Sequence, residues 1–185
     1  MNTLFLVQNL VPYHVARINS FSQDFTNDTF VLESHAREEF DILKVEEAHT
    51  NFKKLYLKKF SLQEFRKLIV ANNISFIFCS GYSFRSSLFA LCLGKGFQHV
   101  QVFACCESNY FDNRRNWIIE RIKSMLVSSF SGFLVGSESH AEYIRRLYRS
   151  KLPLQIMLGY DVVDNNHFAP KKGNSSRQKN HNEIR

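Results

Sequence analysis

The chain has 185 residues, 44% apolar and 22% charged, with a formal net charge of +7. That length suits one domain with a full core, or one domain and the start of another. Five basic residues against Glu183 put +4 in residues 171–185, so the remainder carries only +3, which argues against a nucleic-acid partner.

Met1-Asn2-Thr3 has no basic side chain and the apolar run Leu4–Val7 stops at Gln8-Asn9, so the start does not read as a secretory leader. Thr3–Gln8 is a continuous apolar strand of the kind found in a parallel sheet covered on both faces. After the loop Asn9–Pro12, a helix runs from about Tyr13 to Asp24, with Val15, Ile18 and Phe21 or Phe25 on one stripe. Thr29–Leu32 is the next strand, and Glu33–Asp41 reads as loop. Asp41–Phe60 has no clean period. Ser61 caps a helix with Glu64 three residues on, a capping box, and the stripe Leu62, Phe65, Leu68, Ile69 follows. Asn72-Asn73 ends it.

Ile74–Cys79 is a strand, and Ser80-Gly81 turns into a helix from about Ser83 to Lys95. Val100–Cys105 is a strand that delivers Glu107 at its carboxyl end. A polar turn with Asp112 and Asn113 as candidate caps leads into a basic helix. That helix carries the stripe Ile118, Ile122 and Met125, with Trp117 beside it. Gly132–Val135 is a short strand, Glu138–Tyr148 a helix, and Leu154–Leu158 a last strand. Residues 169–185 are polar and aperiodic, which reads as a linker or disordered tail after a domain spanning residues 1–168.

Strands alternating with helices predict a doubly wound α/β sandwich with a mainly parallel sheet. Right-handed crossovers gather the strand-to-helix loops on one edge, where such sheets bind ligands. The loops are Gln8–Tyr13, Ser80–Ser83, Glu107–Asn113 and Gly136–Ser139.

The first loop has no glycine, so a dinucleotide pyrophosphate could not approach its backbone closely. His14, in the first helical turn, can bond a hydroxyl or meet an anion, or simply close the loop. Cys79-Ser80-Gly81-Tyr82-Ser83 fails the nucleophile-elbow pattern, because Arg85 stands where its second glycine belongs. Arg85 could clamp an anion or lie solvated. Glu107 could accept bonds from sugar hydroxyls or act as a base; otherwise it is a surface charge neutralised by Arg114 or Arg115. Cys79, Cys92, Cys105 and Cys106 each sit in an apolar run and read as buried, reduced thiols, with no metal-ligand spacing.

Two basic stretches, NFKKLYLKKF at Asn51–Phe60 and the helix after Asn113, could rest on an anionic membrane surface. The blander expectation is a solvated cationic face over a core stripe.

The chain resembles the N-terminal domain of a family 4 glycosyltransferase of the two-domain GT-B fold. The residues that carry this are LVPYHVARINSFS at Leu10–Ser22, Glu107-Ser108 with NRRNWIIERIKSML after it, FLVGSESHAEYIRRL at Phe133–Leu147, and GYDVVDNNHF at Gly159–Phe168. The resemblance implies a Rossmann-like three-layer α/β/α sandwich forming one half of the fold and holding mainly the acceptor, a glycan or lipid-linked sugar. It implies retaining transfer from a nucleotide-sugar that binds mainly to the other, C-terminal half, with no further cofactor and no essential metal. The expected acceptor side is Tyr13, His14, Tyr82, Arg85, Glu107 and Ser108, with Glu107 and His14 as candidates for polarising the acceptor hydroxyl. Gly136, Ser137, Tyr160 and Asp161 would face the cleft between the halves. The C-terminal half lies beyond this sequence, so the expectation for the chain alone is no transfer activity. The implied setting is the cytoplasm, with peripheral contact at the inner membrane face. Two alternatives stand beside this: a non-catalytic subunit pairing with a separate donor domain, and a membrane-surface adaptor resting on NFKKLYLKKF.

Overall fold

The structure, a computed structural model, describes residues 1–24, 26–34, 50–57, 61–111 and 116–159. Its elements in chain order are β1 (Asn2–Val7), α1 (Pro12–Asp24), β2 (Thr29–Glu33), β3 (Lys53–Leu55), α2 (Leu62–Ala71), β4 (Ile74–Cys79), α3 (Arg85–Gly96), β5 (Gln101–Cys106), α4 (Trp117–Val127), β6 (Gly132–Val135), α5 (Glu138–Leu147) and β7 (Gln155–Leu158). The strands form one seven-stranded sheet in the order β3-β2-β1-β4-β5-β6-β7. Every neighbouring pair is parallel. This is the doubly wound, Rossmann-like architecture expected.

Period-two alternation within the strands sorts the core between two faces. Leu4 and Leu6 of β1, Ile77 and Cys79 of β4, Val102 and Ala104 of β5 and Phe133 and Val135 of β6 share one buried cluster with side chains of α2, α3, α4 and α5. Val7 and Val31 face the other way, onto Ile18 of α1 and Phe52. An aromatic row crosses that second face. Phe5, Phe78 and Phe103 stack across β1, β4 and β5 at centroid spacings of 5.2 and 5.1 Å, and Phe21 of α1 meets Phe5 edge-on at 5.1 Å. Four of the chain's 18 phenylalanines make up this row.

The Ser61 half of the capping box forms, its hydroxyl accepting the Glu64 N–H at 3.3 Å, while the Glu64 carboxylate accepts from Lys67 Nζ at 2.9 Å. Of the α2 stripe, Phe65, Leu68 and Ile69 are buried but Leu62, in the first turn, is exposed. Asn116, not the predicted Asp112 or Asn113, caps α4 through its side chain; those two lie outside the described residues. Part of the unreadable Asp41–Phe60 region is an edge strand, β3. Lys53 pairs with Asp28 at 2.7 Å and Phe52 is buried, so this half of the basic stretch is a charged sheet edge over core. Lys58, Lys59 and Phe60 lie outside the described residues, as does Phe25.

Two expectations fail here. Cys92 is exposed, on the outer face of α3 one turn after Leu88, while Cys79, Cys105 and Cys106 are buried. A thiol reagent should therefore titrate one cysteine of the four in the native protein and all four after unfolding; more than one fast thiol before unfolding would contradict this packing. The second failure is the α4 stripe. Ile118, Ile122 and Met125 point to solvent, not into the core.

Gly132 marks where β6 meets β7. A Cβ there would stand 2.9 Å from the Gln155 carbonyl oxygen and 3.0 Å from the Phe103 ring. The carbonyl belongs to the strand partner and cannot retreat without breaking the ladder. Gly132→Ala should cost about 1–3 kcal/mol of stability, read as a lower urea midpoint.

Candidate functional site

The strand order reverses between β1 and β4, and the crevice outside their carboxyl ends is the natural ligand position. Four side chains from α1 and the end of β5 converge there. Tyr13 and His14 occupy the first turn of α1, with ring centroids 4.3 Å apart. Arg17, one turn further on the same helix face, lays its guanidinium 5.0 Å from the Tyr13 ring centroid. Its Nη1 stands 3.9 Å from Oε1 of Glu107, which leaves the end of β5 exposed to solvent. Beneath them lies a cavity of about 30 Å³ lined by His14, Arg17, Ser80, Cys105 and Phe78. That is room for roughly one water, so any larger ligand must lie across the edge rather than within it.

The electrostatics divide the labour. Burial, and then the charge of Arg17, lower the His14 pKa to about 4. His14 is a neutral imidazole at physiological pH, with one nitrogen able to accept from a hydroxyl; the cation beside it is Arg17, paired with Glu107. Burial, and then Glu107, raise the Tyr13 pKa, so its phenol stays protonated and donates.

The other expected residues are placed as follows. Tyr82 is buried in the main core cluster rather than lining a cleft. Burial first, then Cys106, raise its pKa to about 12, and it shares a side-chain hydrogen bond with part-buried Ser108. Arg85 opens α3 on the same sheet edge, exposed, with its guanidinium 5.4 Å from the Phe89 ring centroid. Gly136 and Ser137 follow β6 on that edge, and the Ser137 hydroxyl lies 2.9 Å from that of Ser139. Tyr160, Asp161, Arg114 and Arg115 lie outside the described residues.

Sequence reading missed Arg17, though its spacing from Tyr13 and His14 puts all three on one helix face. It also read Glu33 as loop. Glu33 ends β2, and its Oε1 accepts the Leu10 N–H at 2.8 Å. In dinucleotide-binding sheets an acid at this strand end takes the ribose hydroxyls. Here it ties down the glycine-free first loop instead. Among the described residues no group of three His, Cys, Asp or Glu side chains could hold a metal ion, and no helix is long and apolar enough to cross a membrane.

No protein-family profile and no curated protein matches the sequence. Among solved structures the chain is similar to dTDP-glucose 4,6-dehydratase from Bacillus anthracis str. Ames in complex with NAD. The TM-score is 0.52 at 8% identity, over 74% of this chain and 55% of that one. It is also similar to a partial consensus L-threonine 3-dehydrogenase, with TM-score 0.46 and 6% identity over 84% and 52% of the two chains. The chain thus spans about half the length of each. At such identity the likeness to the dehydratase establishes the fold alone. Neither neighbour is a glycosyltransferase.

Proposed function

We propose that this chain is the acceptor-binding half of a retaining glycosyltransferase, taking a glycan or lipid-linked sugar at the β1/β4 crevice. The nucleotide-sugar donor would bind mainly to a C-terminal half. The observation that carries the reading is the grouping of neutral His14, protonated Tyr13, Arg17 and exposed Glu107 beside a first loop without glycine. A neutral imidazole, a phenol and a carboxylate are what a polyol needs: acceptors and donors at short spacing. Glu107 and His14 would orient and polarise the attacking hydroxyl. The same loop, closed by Glu33, disfavours NAD as the ligand despite the fold it shares with an NAD enzyme.

Saturation-transfer NMR on the full chain tests this with a panel of oligosaccharides and NAD. Signal is expected for sugars and not for NAD. Glu107→Gln and His14→Ala should each weaken sugar binding about tenfold, the loss of a hydrogen bond to a charged or buried group. Signal for NAD in place of sugars, or sugar binding untouched in both variants, would overturn the reading. A second reading, a non-catalytic sugar-binding subunit, is favoured by the ion pairing of Glu107 with Arg17. It differs in one outcome: no sugar transfer when a donor-binding half is supplied.

A further inference from the structure

The helix α4 is amphipathic in the inverse sense. Its polar residues turn inward, where Lys123 Nζ donates to the Tyr143 hydroxyl at 3.1 Å and that hydroxyl donates to Glu120 Oε1 at 3.1 Å. Ser124 donates to the Leu147 carbonyl. These bonds fix the helix against α5 through its charged side, and only Val127 of α4 is buried. The apolar row is left outside. Trp117 is 76% exposed, Ile118 52%, Ile122 54% and Met125 70%. Isolated surface hydrophobes are ordinary; four in one row on one helix mark a contact surface.

The charge around the row selects its partner. Arg121 stands within it, and an open groove of about 740 Å³ between α4 and α5 continues it onto Arg146 and Arg149. Among the described residues neither Arg121 nor Arg149 has an acidic partner, and the acid of α4, Glu120, is turned inward. A second copy docked by a twofold would bring these arginines against their own copies, an unfavourable like-charge contact. Trp117, Arg121 and Met125 also line that groove, so the exposed apolar row and its arginines form one continuous amphipathic surface, as an interfacial helix requires.

We propose that the outer face of α4 seats the protein on an anionic lipid surface, with Trp117, Ile118, Ile122 and Met125 in the headgroup boundary and Arg121 and Arg149 on lipid phosphates. The row from Trp117 to Met125 is about 12 Å long at 1.5 Å per residue, so the attachment is peripheral and reversible. It stands independently of the crevice, which lies on other residues.

Trp117 is the chain's one tryptophan, so its emission reports on this helix without labelling. The full chain is mixed with vesicles of phosphatidylcholine alone or equimolar with phosphatidylglycerol. The expected result is a blue shift and flotation with the anionic vesicles only, both reversed by high salt. Arg121→Ala and Arg149→Ala should each weaken binding about fivefold. The double change Ile122→Ser and Met125→Ser should abolish it with the circular dichroism melt unchanged. No blue shift and no flotation with anionic vesicles overturns the proposal. So does equal binding to neutral vesicles, or undiminished binding of the double variant. A blue shift that grows with protein concentration in lipid-free buffer would assign the face to a second copy and equally overturn it.

Discussion

Replacing Phe133 by alanine should cost about 3–5 kcal/mol of stability, a large share of an ordinary total of about 5–15 kcal/mol. Phe133 is wholly inaccessible, on the strand β6, with its ring 5.5 Å from that of Phe130. It belongs to the cluster formed by α2, α3, α4 and α5 against the sheet. Around it Val135, Val127, Ala141 and Ile144 are buried too, so the site has little freedom to collapse into the void. Urea unfolding followed by circular dichroism reads the loss. The matched control is Met125→Ala. A methionine on the buried face of an amphipathic helix would cost about 2–5 kcal/mol when truncated, whereas an exposed one should stay within about 0.5 kcal/mol. A large loss at Met125 would mean that α4 is rolled the other way, and would remove the lipid-facing surface with it.

That contrast shows where sequence stops informing. A 3.6-residue period identifies the stripe on α4 but not the side on which the protein lies. The inward side is decided by Tyr143, twenty residues further on, whose hydroxyl holds Lys123 and Glu120 together. No local pattern carries that fact. The strands β4 and β6 could be read to the residue because continuous apolar runs bounded by turn residues have few alternatives. The strand β3 could not, since three residues with two lysines on a sheet edge show no alternation. Cys92 was misjudged because an apolar run in a helix winds past every direction, and in α3 Ala90, Leu91 and Leu93 take the inward ones.

The crevice was legible by edge rather than by side chain. Parallel topology alone puts Tyr13, His14 and Glu107 at the carboxyl ends of the strands. Whether a loop residue faces ligand or core depends on its rotamer and neighbours. Tyr82 shows this: its loop is on the right edge, yet its ring is packed among core residues and its hydroxyl bonds Ser108. Arg17 is the opposite case. It sits in mid-helix, where no loop search looks, and brings its guanidinium within 3.9 Å of Glu107.

The second large effect is a pH dependence carried by His14. Its pKa falls from 6.5 to about 4 in the folded protein, through burial first and the Arg17 charge second. A histidine whose folded pKa is depressed holds fewer protons in the native than in the unfolded state between those two values. Stability is therefore full above about pH 6.5 and declines as pH falls toward 4, where the native form also protonates. At 1.36 kcal/mol per pH unit the whole decline is about 3 kcal/mol. The wild-type curve also contains every other titrating group, so the quantity to measure is the difference between wild type and His14→Gln from urea midpoints at each pH. The difference should be flat above pH 7 and move by about 3 kcal/mol in favour of the variant by pH 4. Parallel curves would mean that His14 protonates as freely as in a peptide, and so is solvated rather than enclosed beside Arg17. NMR titration of the His14 ring supplies the cause. Arg17→Met should bring the midpoint part of the way back toward 6.5, and burial should hold the rest. If Arg17→Met restored it entirely, the charge and not the enclosure would be what keeps this imidazole neutral, and an anionic ligand at Arg17 would then recharge His14 on binding.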